Sequence, residues 1–414
     1  MMAIENLQRI VPPLTEWFRA FARDLPWRSD PLPYYVWISE IMLQQTRVEA
    51  VKPYFRRFTE ALPDVKALAD CPEEELFKLW EGLGYYSRAR NLKKAAQEIV
   101  RSFGGEIPGD YEALLSLPGI GSYTAGAVAS IAFGVSVSAV DGNVLRVVSR
   151  LTGSGEVIDD PRVKRFWEEQ LTGLIRDSGV DSGLFNQAMM ELGALICLPN
   201  GKPDCASCPL KACCRACAEG SWERIPARRE KKARRKEDRT VLLIRDAVST
   251  LIHKRDDRGL LAGLWELPNL EGEADEKQVL DYCRSLGLKV LQIRPLPEAK
   301  HVFTHVEWHM RGYLLLVEDM QEAQQSGQFA AERFLAAGTD EIGERYPVPS
   351  AFRNYMDYLG LRTGSDVFAS GLSAAGTDGA AGLKSSDLNR RAGSGKNREE
   401  SISGRNKNEK TEVD

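Results

Sequence analysis

The chain has 414 residues, of which 28% are charged and 43% hydrophobic, and its formal net charge is −4. That length exceeds one ordinary domain and predicts two or three units, each burying its own core. The charge excludes a uniformly basic nucleic-acid coat, though not local patches, and the opening MMAIENLQRIVPPL lacks the cationic stretch, apolar core and small-residue cleavage site of a secretory leader, so a cytoplasmic protein is expected.

Up to about Gly220 the pattern is helix after helix, and no sheet is needed. Pro33 can open a helix in its first turn, and YYVWISEIMLQQTRVEAVKPYFRRF carries Ile38, Ile41, Met42, Val48 and Val51 at helical spacing. Glu40 in this stretch shares a face with Trp37, Leu43 and Gln44, and apolar neighbours raise a carboxyl pKa towards neutrality. EEELFKLWEGLG ends at glycines, as helices often do. SRARNLKKAAQEIVRSFGG, DYEALLSL, TAGAVASIAF, VLRVVSRL, DPRVKRFWEEQL and FNQAMMELGALI supply further helices. Between Glu112 and Asp141 no Asp, Glu, Lys or Arg occurs, but Pro118, the glycines and many Ser and Thr make this run too poor in large apolar side chains for a membrane span. Leu117-Pro118-Gly119-Ile120-Gly121 lies between two helices. Its glycines permit positive φ and close approach, so the amides around Gly119 and Gly121 can converge on one anion at a helix N-terminus, as in a helix-hairpin-helix that holds a DNA phosphate.

Six of the eight cysteines fall between Cys197 and Cys217. In a reducing compartment such clustering points to metal rather than disulfides. Cys197, Cys205, Cys208 and Cys214 include one tight Cys-x-x-Cys pair, and four thiolates suit Zn²⁺ or an iron-sulfur cube equally; spacing alone does not choose. Cys213 or Cys217 could each stand in for Cys214. From Arg224 to Arg239 the chain is crowded with cations and nearly free of apolar residues, which marks a solvated boundary or a track along an anion. After it the texture alternates: TVLLIRDAVSTLIHKRDDRGLLAGLWELP reads as two strands joined at DDRG, EKQVLDYCRSLG as a helix, and HVFTHVEWHMRGYLLLVED as another strand pair, together an α+β unit. From Thr363 the Gly/Ala/Ser/Asn bias predicts a disordered tail.

The Leu117–Val128 hairpin, followed by Asp141 in VDGNV, resembles the helix-hairpin-helix DNA glycosylases. SEIMLQQTRV (Ser39–Val48), GLGYYSRARNL (Gly82–Leu92) and FNQAMMELGALIC (Phe185–Cys197) closely match the adenine DNA glycosylases of the MutY type, and the resemblance spans roughly residues 5 to 360. It implies a multi-domain chain. Residues 1–220 form an all-α catalytic region, with a six-helix barrel over about 29–136 and a cluster-bearing subdomain from 1–28 and 137–220. A basic linker (221–238), an α+β Nudix-like domain (239–362) and the tail (363–414) follow. The family usually places six residues between its first two cluster ligands where this chain has seven, an insertion a loop absorbs cheaply, so Cys197, Cys205, Cys208 and Cys214 are the expected ligands of a [4Fe-4S] cluster.

The resemblance also assigns roles. Glu40 is the general acid that protonates departing adenine, and Asp141 the carboxylate that stabilises the cationic sugar. Tyr123 and Asn143 orient them or the water. Trp27, Arg28, Leu43, Gln187 and Glu191 line the adenine pocket, Gln45 and Tyr86 probe or wedge the duplex, and Phe303-Thr304-His305 reads 8-oxoguanine opposite the adenine. In similar glycosylases that also cut the strand, a lysine that forms a Schiff base occupies the slot held here by Tyr123. The expected partner is therefore double-stranded DNA with an A:8-oxoguanine or A:G mispair, cleaved at the base only, by a monomer in the bacterial cytosol and nucleoid. The alternatives are a bifunctional endonuclease III-like lyase and a non-enzymatic, redox-sensing DNA-binding module. GLLAGLWELP resembles the Nudix fold, but no Arg-Glu-x-x-Glu-Glu run follows it to hold magnesium, so pyrophosphatase activity is not expected.

Overall fold

The computed structural model describes residues 4–230, 233–325 and 327–361. The tail expected from residue 363 lies outside them. Up to Glu219 the described residues are helical apart from turns and one isolated bridge, Val157 with Ala227. The helix starts are written in aspartates: Asp110, Asp141, Asp160 and Asp181 each accept a backbone N–H of the first turn, at 2.8 to 2.9 Å. The predicted stretch from Tyr34 to Phe58 is two helices, Pro33–Leu43 and Val48–Ala61, separated by a turn in which Gln45 has a φ of +58°.

The helices build two cores. One gathers Trp37, Phe58, Phe77, Trp80, Leu92 and Val128. The other joins the N-terminal Val11–Phe21 helix to the Gly142–Thr152, Pro161–Ser178 and Ser182–Leu195 helices through Leu14, Val147, Trp167 and Phe185. Ser122–Phe133 lies between them, and Thr124 to Ser130 are all buried. That accounts for the middle of the uncharged run, where any ionisable group would be desolvated on every side. Gly126 packs so closely on the Ser138 carbonyl that a Cβ would collide with it.

In the later described residues β1 (Arg235–Arg245), β2 (Thr250–Lys254), β3 (Trp265–Glu266), β4 (Asn269–Glu271), β5 (Val290–Val302), β6 (Val306–Val317) and β7 (Phe334–Ala337) form one seven-stranded sheet, with short helices beside it. Its path is β3-β2-β1-β6-β5, with β4 pairing with β1 and β7 with β2. β1 and β6 run parallel, while every other pair is antiparallel. The Glu276–Ser285 helix falls where the sequence pattern puts it, but of the strand pair expected from His301 to Asp319 only β6 lies inside that stretch, its partner β5 running almost wholly before it, from Val290 to Val302. Two more expectations need correction. Arg235 to Asp238, expected as linker, are already strand because they pair with β6 from Val306 to His309. The first hairpin turns at Asp246, whose carboxylate accepts the amides of Val248 and Ser249; DDRG instead leads from β2 towards β3.

The sheet unit is seated on the helices. Its Leu264 belongs to the first helical core. Buried Glu81 accepts the Val348 amide at 3.1 Å and pairs with Lys78 at 2.7 Å, and Lys254 pairs with Glu74 at 2.6 Å. No helix among the described residues is long and apolar enough to cross a membrane.

Candidate active site

Between the two helical cores opens a cleft of about 1090 Å³. Ten of the residues singled out from sequence line it: Trp27, Arg28, Glu40, Leu43, Gln45, Tyr123, Asp141, Asn143, Gln187 and Glu191. All but Gln45, which sits in the turn after the Pro33–Leu43 helix, are carried by a helix or sit at a helix end, so the cleft is shaped mainly by packed helices.

Glu40 sits near the end of the Pro33–Leu43 helix, only 6% exposed. The Tyr123 hydroxyl donates to its Oε2 at 2.5 Å and also approaches Met190 Sδ at 3.1 Å. Burial pushes the Glu40 carboxyl up to about 7, helped by the charge of Asp141 and opposed by the Tyr123 hydrogen bond and by Arg28. Burial raises the Tyr123 phenol well above its ordinary value, so it remains a donor. Asp141 is the N-cap of the Gly142–Thr152 helix; its Oδ1 accepts the Val144 amide at 2.8 Å and its Oδ2 the Asn143 side-chain amide at 2.7 Å. Burial raises Asp141 too, and those hydrogen bonds pull against it. Two carboxyls thus share one cleft, one buried among apolar groups and one cradled by donors at a helix N-terminus, an arrangement that favours acid and anion respectively.

Asn143 is itself held. Arg146 donates through Nη2 to Asn143 Oδ1 and Gly193 O, both at 2.8 Å, and through Nε to Cys197 O at 2.7 Å. A Cβ on Gly193 would stand 2.7 Å from Asn143 Cβ, so glycine permits this approach. Arg146 and Met190 were not legible as site residues, nor was Arg23, which closes a buried ion pair. Burial pushes Glu191 up, but hydrogen bonds from Arg23 (2.7 Å) and Arg28 (2.9 Å) outweigh it and hold the carboxyl at about 2.

The hairpin and the predicted duplex probes lie outside this cleft, except for Gln45. Gly119 has a φ of +77° and a Cβ there would meet Asn91 at 2.5 Å, so glycine is required. Gly121 is extended, with open space where a Cβ would stand; its left-handed freedom is not used. Tyr86 is corrected: it is 8% exposed and packs on Phe77, because it starts the Ser87–Phe103 helix with its ring turned inward. The exposed neighbour is Tyr85, with a φ of +48° and its hydroxyl 3.0 Å from Thr304 Oγ1. Thr304 and His305 are exposed at the β5–β6 tip, whereas Phe303 packs edge-on against Trp308.

Cys197, Cys205, Cys208 and Cys214 line one small apolar cavity, together with Cys217 and Arg150, whose Nη1 lies 3.3 Å from Cys197 Sγ. Cys213 is exposed and faces elsewhere. Among the described residues no three His, Cys, Asp or Glu side chains are grouped to hold a single ion. Four cysteine sulfurs around one small apolar cavity fit a metal centre held by thiolates.

Residues 38–172 match the HhH-GPD superfamily of base excision DNA repair proteins, and residues 240–358 match the NUDIX domain. The chain is 33% identical over 310 residues to an adenine DNA glycosylase of Buchnera aphidicola, covering 74% of this chain and 86% of that protein. The chain belongs to the adenine DNA glycosylase family. The human adenine DNA glycosylase is 34% identical over 367 residues, and the chain spans 66% of its length. A thermostable thymine-DNA glycosylase structure is 30% identical with a TM-score of 0.48, covering 52% of this chain and all of that one. The family accounts for the pairing of a helical repair fold with a Nudix-like sheet.

Proposed function

We propose that this chain hydrolyses the N-glycosidic bond of adenine opposite 8-oxoguanine or G in double-stranded DNA, leaving the abasic strand uncut. The observation that carries the reading is the cleft that holds Glu40 beside the Tyr123 hydroxyl and Asp141 on a helix N-terminus. The adenine nucleotide leaves the stack, at a cost of a few kcal/mol, and enters the cleft. Glu40, protonated near neutral pH, gives its proton to a ring nitrogen as the bond breaks, so adenine departs neutral. Asp141, negative between its donors, stabilises the sugar cation left behind. Water then adds to the sugar carbon and its proton returns to the Glu40 carboxylate, so the acid is restored. Trp27 and Leu43 offer the base apolar surface, with Gln187 and the Arg28–Glu191 pair at the polar rim.

No lysine lines the cleft among the described residues, which favours water over a Schiff base as the agent of release. In this reading Gln45 and Tyr85 enter the duplex, and Thr304 offers its hydroxyl to the 8-oxoguanine. The basic stretch from Arg224 adds salt-dependent contacts to phosphate. The same reading assigns a [4Fe-4S] cluster to Cys197, Cys205, Cys208 and Cys214. When bound it would cross-link the loop through iron–sulfur bonds and carry an exchangeable electron. The protein's own part is to supply four thiolates and the Arg150 contact to Cys197.

A labelled A:8-oxoguanine duplex tests the reaction. Strand breaks appearing only after alkali are expected; equal breaks without alkali would establish a lyase, and binding without base release a non-catalytic module. Iron, sulfide and visible absorbance in the purified protein test the cluster, and a colourless zinc protein would overturn it.

A further inference from the structure

Arg88 is buried at the start of the Ser87–Phe103 helix, and no carboxylate is among the groups that act on its guanidinium. Five backbone carbonyls meet it instead. Nη1 donates to Ile41 O (2.7 Å), Met42 O (3.0 Å) and Gln44 O (2.8 Å), and Nη2 to Leu83 O (3.0 Å) and Gly84 O (3.1 Å). The guanidinium carbon also lies 5.3 Å from the Trp80 ring centre and 5.6 Å from that of Tyr85. A buried charge without a counter-ion is costly, and a core that only needed filling would carry an apolar side chain there.

The carbonyls belong to two segments far apart in sequence: the end of the Pro33–Leu43 helix with the turn that follows it, and the turn before the Ser87–Phe103 helix. Each turn passes directly into an exposed, non-glycine residue in the left-handed region: Gln45 follows Gln44, and Tyr85 follows Gly84. Such conformations are disfavoured for any residue with a Cβ and persist where the surroundings over-determine them. One guanidinium therefore grips the residue before each of two strained, outward-facing side chains, and the second of these reaches Thr304 on the sheet unit at 3.0 Å.

We propose that Arg88 is a positioning residue for discrimination of the base opposite adenine: without touching DNA, it locks the Gln45 and Tyr85 turns into one rigid probe. The inference rests on the reading above, in which those two side chains enter the duplex. A lysine cannot replace it, because three donors from one point do not span five carbonyls on two segments.

The test uses the full chain with Arg88→Lys and Arg88→Met. Single-turnover adenine release is measured against enzyme concentration on A:8-oxoguanine and A:G duplexes, with thermal unfolding as a control. In folded Arg88→Lys, the ratio of half-saturating concentrations between the two duplexes is expected to fall about tenfold, as for a probe displaced by a fraction of an ångström. The pH profile stays where it is, because the Glu40–Tyr123 pair is untouched. A folded variant whose ratio stays within about twofold of wild type overturns the proposal. Should both variants unfold, a cycle of Gln45→Ala, Tyr85→Ala and the double variant decides: coupling of at least about threefold in the same ratio is expected of a single rigid probe, and independent effects overturn it. Wild-type protein that releases no adenine removes the underlying reading as well, whereas active wild type with an unchanged Arg88→Lys ratio removes only this inference.

Discussion

Glu40 and Thr304 belong to regions that treat polar groups in opposite ways. The helical cleft takes its carboxyls out of water: Glu40, Asp141 and Glu191 each lose hydration, and each is then tuned by named donors. The sheet unit keeps Thr304 and His305 at an exposed hairpin tip, while its own core gathers Trp308, Met310 and Phe352. Burial creates reactivity because the protein, rather than solvent, then sets the protonation state. Exposure leaves protonation to solvent but lets a group meet a partner. On the function proposed above, bond breaking falls to the first region and inspection of the opposite base to the second.

The largest effects should come from the carboxyls. Glu40→Gln and Asp141→Asn are each expected to slow adenine release by roughly 10³-fold or more while duplex binding persists; single-turnover rates beside a binding assay check this, and a loss under tenfold would break the contrast. The same glutamate makes a signed claim about pH. Its folded pKa of about 7 lies above the usual carboxylate range, so the native state holds a proton that the unfolded chain gives up between about pH 4.5 and 7. Stability therefore falls as pH rises through that window, and Glu40→Gln should gain up to about 3 kcal/mol over wild type by pH 8, with no gain at pH 4. Denaturant unfolding at the two pH values measures it. As an acid, Glu40 also predicts a release rate that declines about tenfold per pH unit above 7.

Glu191 carries the opposite sign. Its pKa of about 2 means the ion pair stabilises the fold above the ordinary carboxylate range and is lost as pH falls towards 2. Glu191→Gln should cost about 2 kcal/mol at pH 7, less than a fully buried pair because Arg23 and Arg28 are partly exposed. Smaller still is the sheet unit's share. Thr304→Ala is expected to reduce the preference for 8-oxoguanine over G by roughly fivefold, about 1 kcal/mol, and to leave A:G release unchanged. If A:G release collapsed with it, the division between the two regions would fail. Gly121→Ala should shift unfolding by under about 1 kcal/mol, while Gly119→Ala costs more, because only Gly119 has positive φ and a crowded Cβ position.

Much of the helical fold was legible because its aspartate caps, glycine stops and apolar spacing are local signals. The candidate acid and anion were legible through the resemblance, and their shared cleft follows from how two cores pack. What escaped depends on single-residue backbone geometry or on distant partners. Tyr85 and Tyr86 are adjacent and chemically identical; only the left-handed turn at Tyr85 decides which ring faces out. Arg88 looked like an ordinary helix arginine because its acceptors are carbonyls, which every residue has. The early hairpin was misplaced since DDRG is the stronger turn signal, whereas the real turn is held by one aspartate side chain, Asp246.

The seat of Leu264 among the helical side chains has a practical corollary. A fragment ending near residue 220 would open an oily socket where that leucine sat and strand the Glu81 carboxylate without its Val348 donor. Such a piece should be sticky and less soluble than the intact polypeptide, so the sheet unit doubles as a lid for the helices it sits on.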